Sequence, residues 1–254
     1  MQIAITGGAG RVGRVVAEAF DAAERTLLTH GEHDDLDGEL LDATDRAAFE
    51  EAITGSDVLV HLAWSPADRD AWDEGDEANV RMADNALAAA LACDLDRVVV
   101  ASSAHAFGMY NRDDPTEFEA TVERPSTTIR PETPPRPDSY YGVAKVAIEG
   151  LCRFYADRYD LAVVVVRVGW LMDETELRAT ADDAEARHRF ARAMWLSPRD
   201  CRALFRAAAE HSIERSPVVA HGISRNADRT LSLTETMQRL DYRPRDDAAA
   251  VLDG

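Results

Sequence analysis

The chain has 254 residues, enough for one α/β domain with a full core, and 46% hydrophobic residues exclude a disordered or fibrous chain. A net charge of −19, from 47 acidic against 28 basic residues, argues against nucleic acid and anionic membranes as partners. No apolar run reaches membrane length, the first residues enter a strand with no signal segment, and Cys93, Cys152 and Cys201 lack disulfide or zinc spacing, so a cytoplasmic protein without metal is expected.

Strands are predicted at Gln2–Thr6, Thr26–His30, Glu39–Leu41, Asp57–Leu62, Arg97–Ser102 and Ala162–Val168. Several are β-branched and unalternating, the composition of strands buried on both faces. Amphipathic segments at Val12–Phe20, Arg46–Ile53 and Asn79–Leu91 separate them, which implies βαβ units and a doubly wound parallel sheet. The acids are spread along the whole chain and the basic residues are almost all arginine. Such a surface suits high salt, where the Debye length falls to about 3 Å near 1 M.

The first strand runs into Thr6-Gly7-Gly8-Ala9-Gly10-Arg11-Val12-Gly13 and then a helix. Gly7 permits a tight turn, Gly10 lets backbone approach a pyrophosphate, and Gly13 allows close helix–strand packing at the positive end of the helix dipole. Alone, such glycines also make a plain turn. After a strand and before an apolar-faced helix they predict a dinucleotide site that includes Arg11 and Val12. The second strand ends at His30, with Glu32 and Asp34 only afterwards. An acid at that end would hold the ribose 2′-hydroxyl of NAD. Arg11 and His30 suit a 2′-phosphate instead, and Glu32 can swing back, so NAD is expected with NADP possible.

The fifth strand ends in Ser102-Ser103-Ala104-His105, at the edge where open α/β sheets hold ligands. Serines also end strands routinely. Next comes Asn111–Asp138, polar and rich in proline, which reads either as a surface excursion or as a loop overhanging the site. Asp138 or Ser139 then caps a helix carrying Tyr141 and Lys145, one turn apart on one face. A lysine ammonium beside a phenol favours the phenolate and lowers a pKa that is ordinarily near 10. Tyr141 is thereby suited to take a proton from a substrate hydroxyl. Beyond Val168 lies Asp173–Arg189, a charged helix or loop ahead of Phe190–Trp195. Residues 1–168 are expected to form the dinucleotide-binding core of a single domain, and 169–254 a smaller, mostly substrate-binding extension.

The glycine loop, Leu41-Asp42-Ala43-Thr44-Asp45, Val60-His61-Leu62-Ala63, Asn79, Ser102-Ser103 and the Tyr141/Lys145 pair together resemble an extended short-chain dehydrogenase of the NAD-dependent epimerase/dehydratase type. Ser102-Ser103-Ala104-His105, Arg136-Pro137, Tyr140–Lys145, Val166–Gly169, Ala193–Asp200, Gly222-Ile223-Ser224 and Leu240–Pro244 narrow the likeness to uronate dehydrogenases and haloarchaeal NAD-dependent glucose-6-phosphate dehydrogenases. The resemblance implies a Rossmann fold, a homo-oligomer, and NAD(P)-dependent oxidation of a cyclic aldose at C1 to its lactone. It also implies Ser103 as the catalytic serine, Tyr141 as the base, and Lys145 as a further hold on the nicotinamide ribose. Asp42, Ala43, Leu62, Ala63 and Asn79 would follow the cofactor, and His105, Gly169 and Trp170 the sugar.

Three positions depart from that pattern: Ala104 where asparagine is usual, Trp170 after Gly169, and Phe190 where an arginine would fix the substrate's far-end anion. Arg187, Arg189 and Arg192 surround Phe190 and favour an anionic sugar, whereas Phe190 and Trp170 offer apolar surface to a neutral one. A sugar epimerase or dehydratase on the same scaffold, and a non-catalytic dinucleotide sensor, are the rival functions. Retention of Tyr141 and Lys145 weighs against the sensor.

Overall fold

The computed structural model describes residues 1–254 other than Ala22, Arg69 and Arg215. Its valine-rich runs become parallel strands: β1 (Gln2–Thr6), β2 (Glu24–Thr29), β3 (Glu39–Leu40), β4 (Val58–His61), β5 (Arg97–Ser103) and β6 (Val163–Val168). With β9 (Val218–Gly222) they form one seven-stranded sheet in the order β3-β2-β1-β4-β5-β6-β9. The chain reverses its direction of winding between β1 and β4, so a crevice opens there at the carboxyl ends of the strands. Thr6 lies opposite both Leu28 and His61, and β5 continues past the partner of His61 to Ser103. Thr6 and Ser103 therefore stand along the same edge.

Helices cover both faces, as strands apolar on both sides require. On one face α1 (Arg11–Ala19) packs against α7 (Pro198–Glu210). On the other, α3 (Glu74–Ala92) lies between α2 (Arg46–Ile53) and α4 (Tyr140–Tyr159). Helix α3 begins a turn earlier than its apolar pattern predicts. Asp73 caps it, accepting from Gly75 N and Asp76 N, while Asp76 reaches back to the Asp73 N–H in a capping box. The acidic first turn masks the helix in a reading based on apolar spacing.

The carboxyl-terminal third holds elements that the pattern did not predict. A small pair, β7 (Trp170–Leu171) and β8 (Trp195–Leu196), brackets α5 (Glu174–Ala179) and α6 (Glu185–Met194), so the charged Asp173–Arg189 segment is helical in two pieces. Two further helices, α8 (Thr234–Leu240) and α9 (Ala248–Leu252), follow β9. β9 joins β6, so the extension contributes a strand to the main sheet. Residues 111–138 carry no helix or strand and are tied down by backbone bonds such as Thr121 N to Ala186 O and Ile129 N to Thr230 O. Among the described residues no helix is long and apolar enough to cross a membrane.

Candidate active site

Backbone proximity builds the first part of the crevice. Gly7 has φ +71°, and a Cβ there would sit 2.8 Å from Ala63 N and the Leu62 carbonyl. A Cβ at Gly13 would sit 2.2 Å from Gly7 O. Gly10 caps α1 without a side-chain bond, so the first N–H groups of the helix, on Arg11, Val12 and Gly13, have no intrahelical partner and stand at the positive end of its dipole. Thr6 locks the neighbouring strand end. Its hydroxyl accepts from Leu62 N and Ala63 N at 3.2 and 3.3 Å and donates to His61 Nδ1 at 2.8 Å. Burial, then the Lys145 charge, holds His61 neutral, down to about 3.

Beside this loop lies a cavity of about 220 Å³ bordered by Gly7, His30, Asp42, Ala43, Ala63 and Trp64. The Asp42 carboxylate accepts from the Thr44 hydroxyl and N–H, which hold it below the usual carboxylate range. Leu62 is partly buried behind Ala63. Asn79 acts from a distance: it is buried, donates to Ser65 O at 2.9 Å and accepts from Ser65 N at 2.7 Å, fixing that wall. Arg11 is turned to Glu176 of α5 in an ion pair, and Arg14 to Asp35 and Ala9 O. A cradle closed to any Cβ, an uncapped helix start and an adjoining cavity fit a dinucleotide.

The second part depends on the start of α4. Ser139 caps it, accepting from Gly142 N at 3.2 Å. A Cβ at Gly142 would meet His105 O at 2.5 Å, so the helix presses on the 3₁₀ turn Ala104–Phe107 that follows β5. Tyr141 thereby meets the edges of Trp64 and His105, with ring centroids 4.8 and 5.6 Å away. One turn on, Lys145 is buried; its Nζ donates to Ala101 O at 3.0 Å and lies 3.9 Å from the Trp64 ring centre. Burial pulls Lys145 down to about 7, against Cys152 and Glu149, which raise it. Ser103 is buried at the end of β5, its Oγ accepting from His105 N at 3.2 Å. A phenol beside an ammonium, with a serine hydroxyl at the adjoining strand end, can relay a proton from a bound alcohol.

The third part is made by side chains from distant segments. His105 Nδ1 lies 2.9 Å from Asp138 Oδ2, which also accepts from Arg112 Nη2 at 2.9 Å. The Asp138 side chain is 0% exposed, and a Cβ at Gly108 would fall 1.7 Å from its Oδ2. Burial raises this carboxyl, but bonds and charges from His105, Ser139 and Arg112 outweigh it and leave it below its usual value. From His105 a row of rings continues to Phe190 at 6.2 Å and Trp170 at 5.9 Å, and the Arg187 guanidinium lies 4.6 Å over Trp170. Gly169 lets β6 pass close behind: a Cβ there would be 2.3 Å from Met194 O.

On α6, Arg187 and Phe190 are three residues apart and share a face, while Arg189 and Arg192 point elsewhere. Arg189 holds Thr121 O and Glu185; Arg192 holds Asp228 and Asp253. Both line a separate cavity of about 320 Å³ with Val122 and Pro125. The proline-rich loop does overhang the site. Its Glu119 pairs with Arg187 and lies 3.9 Å from His105 Nε2. Trp64, Glu119, Asp138 and Arg112 also border this crevice and were not among the candidate site residues of the sequence; the one local signal was a tryptophan directly after Ala63.

Comparison with known proteins adds three findings. The family model described as "NAD dependent epimerase/dehydratase family" matches residues 3–194. The chain is 47% identical to an L-arabinose 1-dehydrogenase (NAD(P)(+)) of Haloferax volcanii over 99% of both chains, and 31% identical to an NAD-dependent glucose-6-phosphate dehydrogenase of the same organism over 97% of this chain and 94% of the relative. A crystal structure of a mutant uronate dehydrogenase from Agrobacterium tumefaciens complexed with NAD superposes with a TM-score of 0.76 at 26% identity, covering 98% of this chain and 86% of that one.

Proposed function

The chain belongs to the NAD dependent epimerase/dehydratase family, and on that premise we propose that it oxidises a neutral cyclic aldose at C1 to the lactone. The observation that carries this reading is the placing of Tyr141 and Lys145 between the glycine-loop cavity and the ring-lined end of the crevice. In it, Ser103 holds the C1 hydroxyl, the Lys145 ammonium favours the phenolate form of Tyr141, and that phenolate takes the hydroxyl proton and becomes a phenol. NAD, when bound, supplies the acceptor for the hydride that leaves C1. Gly7, Gly10, Gly13 and the first N–H groups of α1 would hold its pyrophosphate, and Asp42 and Ala43 would border the adenine end.

A neutral sugar is favoured over an anionic one because Arg187, Arg189 and Arg192 already carry carboxylate partners. The Haloferax relative of 47% identity is named for L-arabinose, an uncharged pentose, and for NAD(P). NADP is read as a second cofactor, since no acid from the end of β2 borders the cavity among its lining residues. Self-association and a cytoplasmic location belong to the same reading. Leu91 on α3 and Val143, Phe154 and Tyr159 on α4 are exposed apolar side chains that a second copy would cover.

Dinucleotide reduction at 340 nm in high salt, across neutral aldoses, uronates and sugar phosphates, tests the substrate class. L-Arabinose or a close neutral aldose should lead, with both dinucleotides used. Tyr141→Phe should keep dinucleotide binding and lose roughly 10²–10⁴ in turnover. Failure to oxidise any aldose, or near-normal turnover in that variant, would sink the reading.

A further inference from the structure

We propose that Glu149 is a positioning residue for the reaction: from one turn below Lys145 on α4 it grips Ser102, and so holds the helix of Tyr141 and Lys145 in register with the strand that ends in Ser103. The proposal deepens the functional reading above and rests on it for the roles of Tyr141, Lys145 and Ser103.

Tyr141, Lys145 and Glu149 follow one another at intervals of four residues, so they share one face of α4. The first two reach the crevice; Glu149 lies deeper, its side chain only 13% exposed. A carboxylate seldom sits against a sheet unless it is paired and hydrogen-bonded. Here it accepts from Ser102 Oγ at 2.6 Å, and from Arg167 Nε and Nη2 at 2.9 and 2.8 Å, the two parallel bonds of a guanidinium fork. Arg167 lies opposite Ser102 in the β5–β6 pairing, and His221 opposite Arg167 in the β6–β9 pairing, so the three stand in a row across the sheet.

The row is closed in charge and in hydrogen bonds. Arg167 Nη1 donates to Pro131 O at 3.0 Å and lies 3.4 Å from His221 Nε2, and the guanidinium carbon lies 4.0 Å over the Phe107 ring. His221 Nδ1 is 2.8 Å from the Ser232 carbonyl, so it carries the proton and leaves Nε2 as an acceptor for the guanidinium. Burial, then the Arg167 charge, keeps this histidine neutral, down to about 4. One acid is thus matched by one base. The consequence falls on β5, which α4 grips twice, one turn apart. Lys145 Nζ donates to Ala101 O at 3.0 Å, and Glu149 takes the hydroxyl of the next residue. Successive strand residues face opposite ways, which frees Ser103 for the crevice while Ser102 serves the grip. A single grip would let the helix pivot on the strand. Two fix its tilt and its height, and with them the gap between the Tyr141 phenol and the Ser103 hydroxyl.

The test uses the whole protein with L-arabinose, or the neutral aldose it oxidises fastest, in wild type, Ser102→Ala, Glu149→Asp and the double variant. Ser102→Ala cuts the grip on β5 and leaves the Glu149–Arg167 pair, so the fold survives. Glu149→Asp keeps the charge one methylene short of the strand. Each single variant should lose roughly tenfold in kcat, counted per dinucleotide-binding molecule and with the dinucleotide KM unchanged, since a misplacement of about 1 Å can cost 10²-fold. The double variant should lose no more than the worse single, as expected of two ends of one contact. Lys145 gives a measure that needs no turnover. Loosening at Ala101 lets water in, so its NMR titration midpoint should rise from about 7 toward the ordinary lysine value. Wild-type kcat in both single variants, or losses that multiply in the double, would overturn the proposal. A lower kcat with the Lys145 midpoint unmoved would make Glu149 a structural strut and overturn it too. If wild type oxidises no aldose, the functional reading falls instead, and the Lys145 midpoint in Ser102→Ala decides on the grip alone.

Discussion

The glycine-loop half and the ring-lined half of the crevice, proposed to hold the dinucleotide and the sugar, are built from different material. Around Gly7 and Gly13 the walls are backbone, and missing Cβ atoms bring β1, α1 and the end of β4 together. Around His105 the walls are charged side chains that neutralise one another: Arg112 with Asp138, and Arg187 with Glu119, the last two 68 residues apart in sequence. A backbone-built half is a contiguous motif and tolerates only loss of fit. A half built from paired charges draws on distant segments, and removing one partner strands the other.

That contrast makes Arg112→Leu the most damaging change outside the Tyr141/Lys145 pair. Arg112 is 1% exposed and its Nη2 reaches Asp138; its Nε and Nη1 are buried with no partner among the described residues. Leucine would leave the enclosed Asp138 carboxylate without its guanidinium, at a cost of about 3–5 kcal/mol. Urea denaturation at neutral pH should show that loss. Arg112→Leu/Asp138→Asn should regain a substantial part of it, because the stranded charge is gone. The sign with pH follows from the lowered Asp138 pKa: its contribution is present above the unfolded carboxylate range and is lost as pH falls through the folded value. A single variant as stable as wild type would mean the pair is slack and the contrast false.

Gly13→Ala probes the other half and should cost less, about 1–3 kcal/mol, the range for overpacking. Its Cβ would stand 2.2 Å from Gly7 O and 2.9 Å from Gly8 Cα, both backbone, so no side chain can rotate away. Dinucleotide affinity should fall with stability, since the shift displaces the same loop. Gly31→Ala, where a Cβ meets nothing within 4 Å, is the matched control and should change neither. Equal effects at the two positions would show that the glycine loop has room to spare.

The same difference governs what the sequence made legible. The six strands of the first 168 residues, the glycine loop and the Tyr141/Lys145 helix are local patterns, and each lies within a few residues of its expected place. β9 escaped because Val218–Gly222 is short and ends in His221 and Gly222, and the start of α3 because its first turn is acidic. The roles of Glu119 and Asp138 had no local signal at all. Nothing in Asn111–Asp138 distinguishes the inward-turned acids from Asp113 or Glu123, which are ordinary members of the same polar loop. Helical spacing alone would have separated Arg187 from Arg189 and Arg192, had the segment been read firmly as a helix.

Lys145 stands where the two halves meet, and its titration gives the smallest but sharpest test of how they differ. It is the only lysine in the chain, so labelling lysine with ¹³C at the ε-carbon yields a single resonance. Burial should bring its midpoint to about 7, well below the usual lysine value. The sign for stability follows: between the folded and the ordinary pKa the unfolded chain binds the extra proton, so this group's burial cost is complete below about pH 7 and is relieved as pH rises. Trp64 should soften that cost, because the ammonium lies 3.9 Å from its ring centre and an aromatic face attracts a cation. Trp64→Leu should therefore lower the midpoint by about half to one pH unit. If the resonance titrates near 10 in wild type, water reaches Lys145 and the buried geometry is wrong. If Trp64→Leu leaves the midpoint unmoved, the ring is packing against Tyr141 and does nothing for the charge.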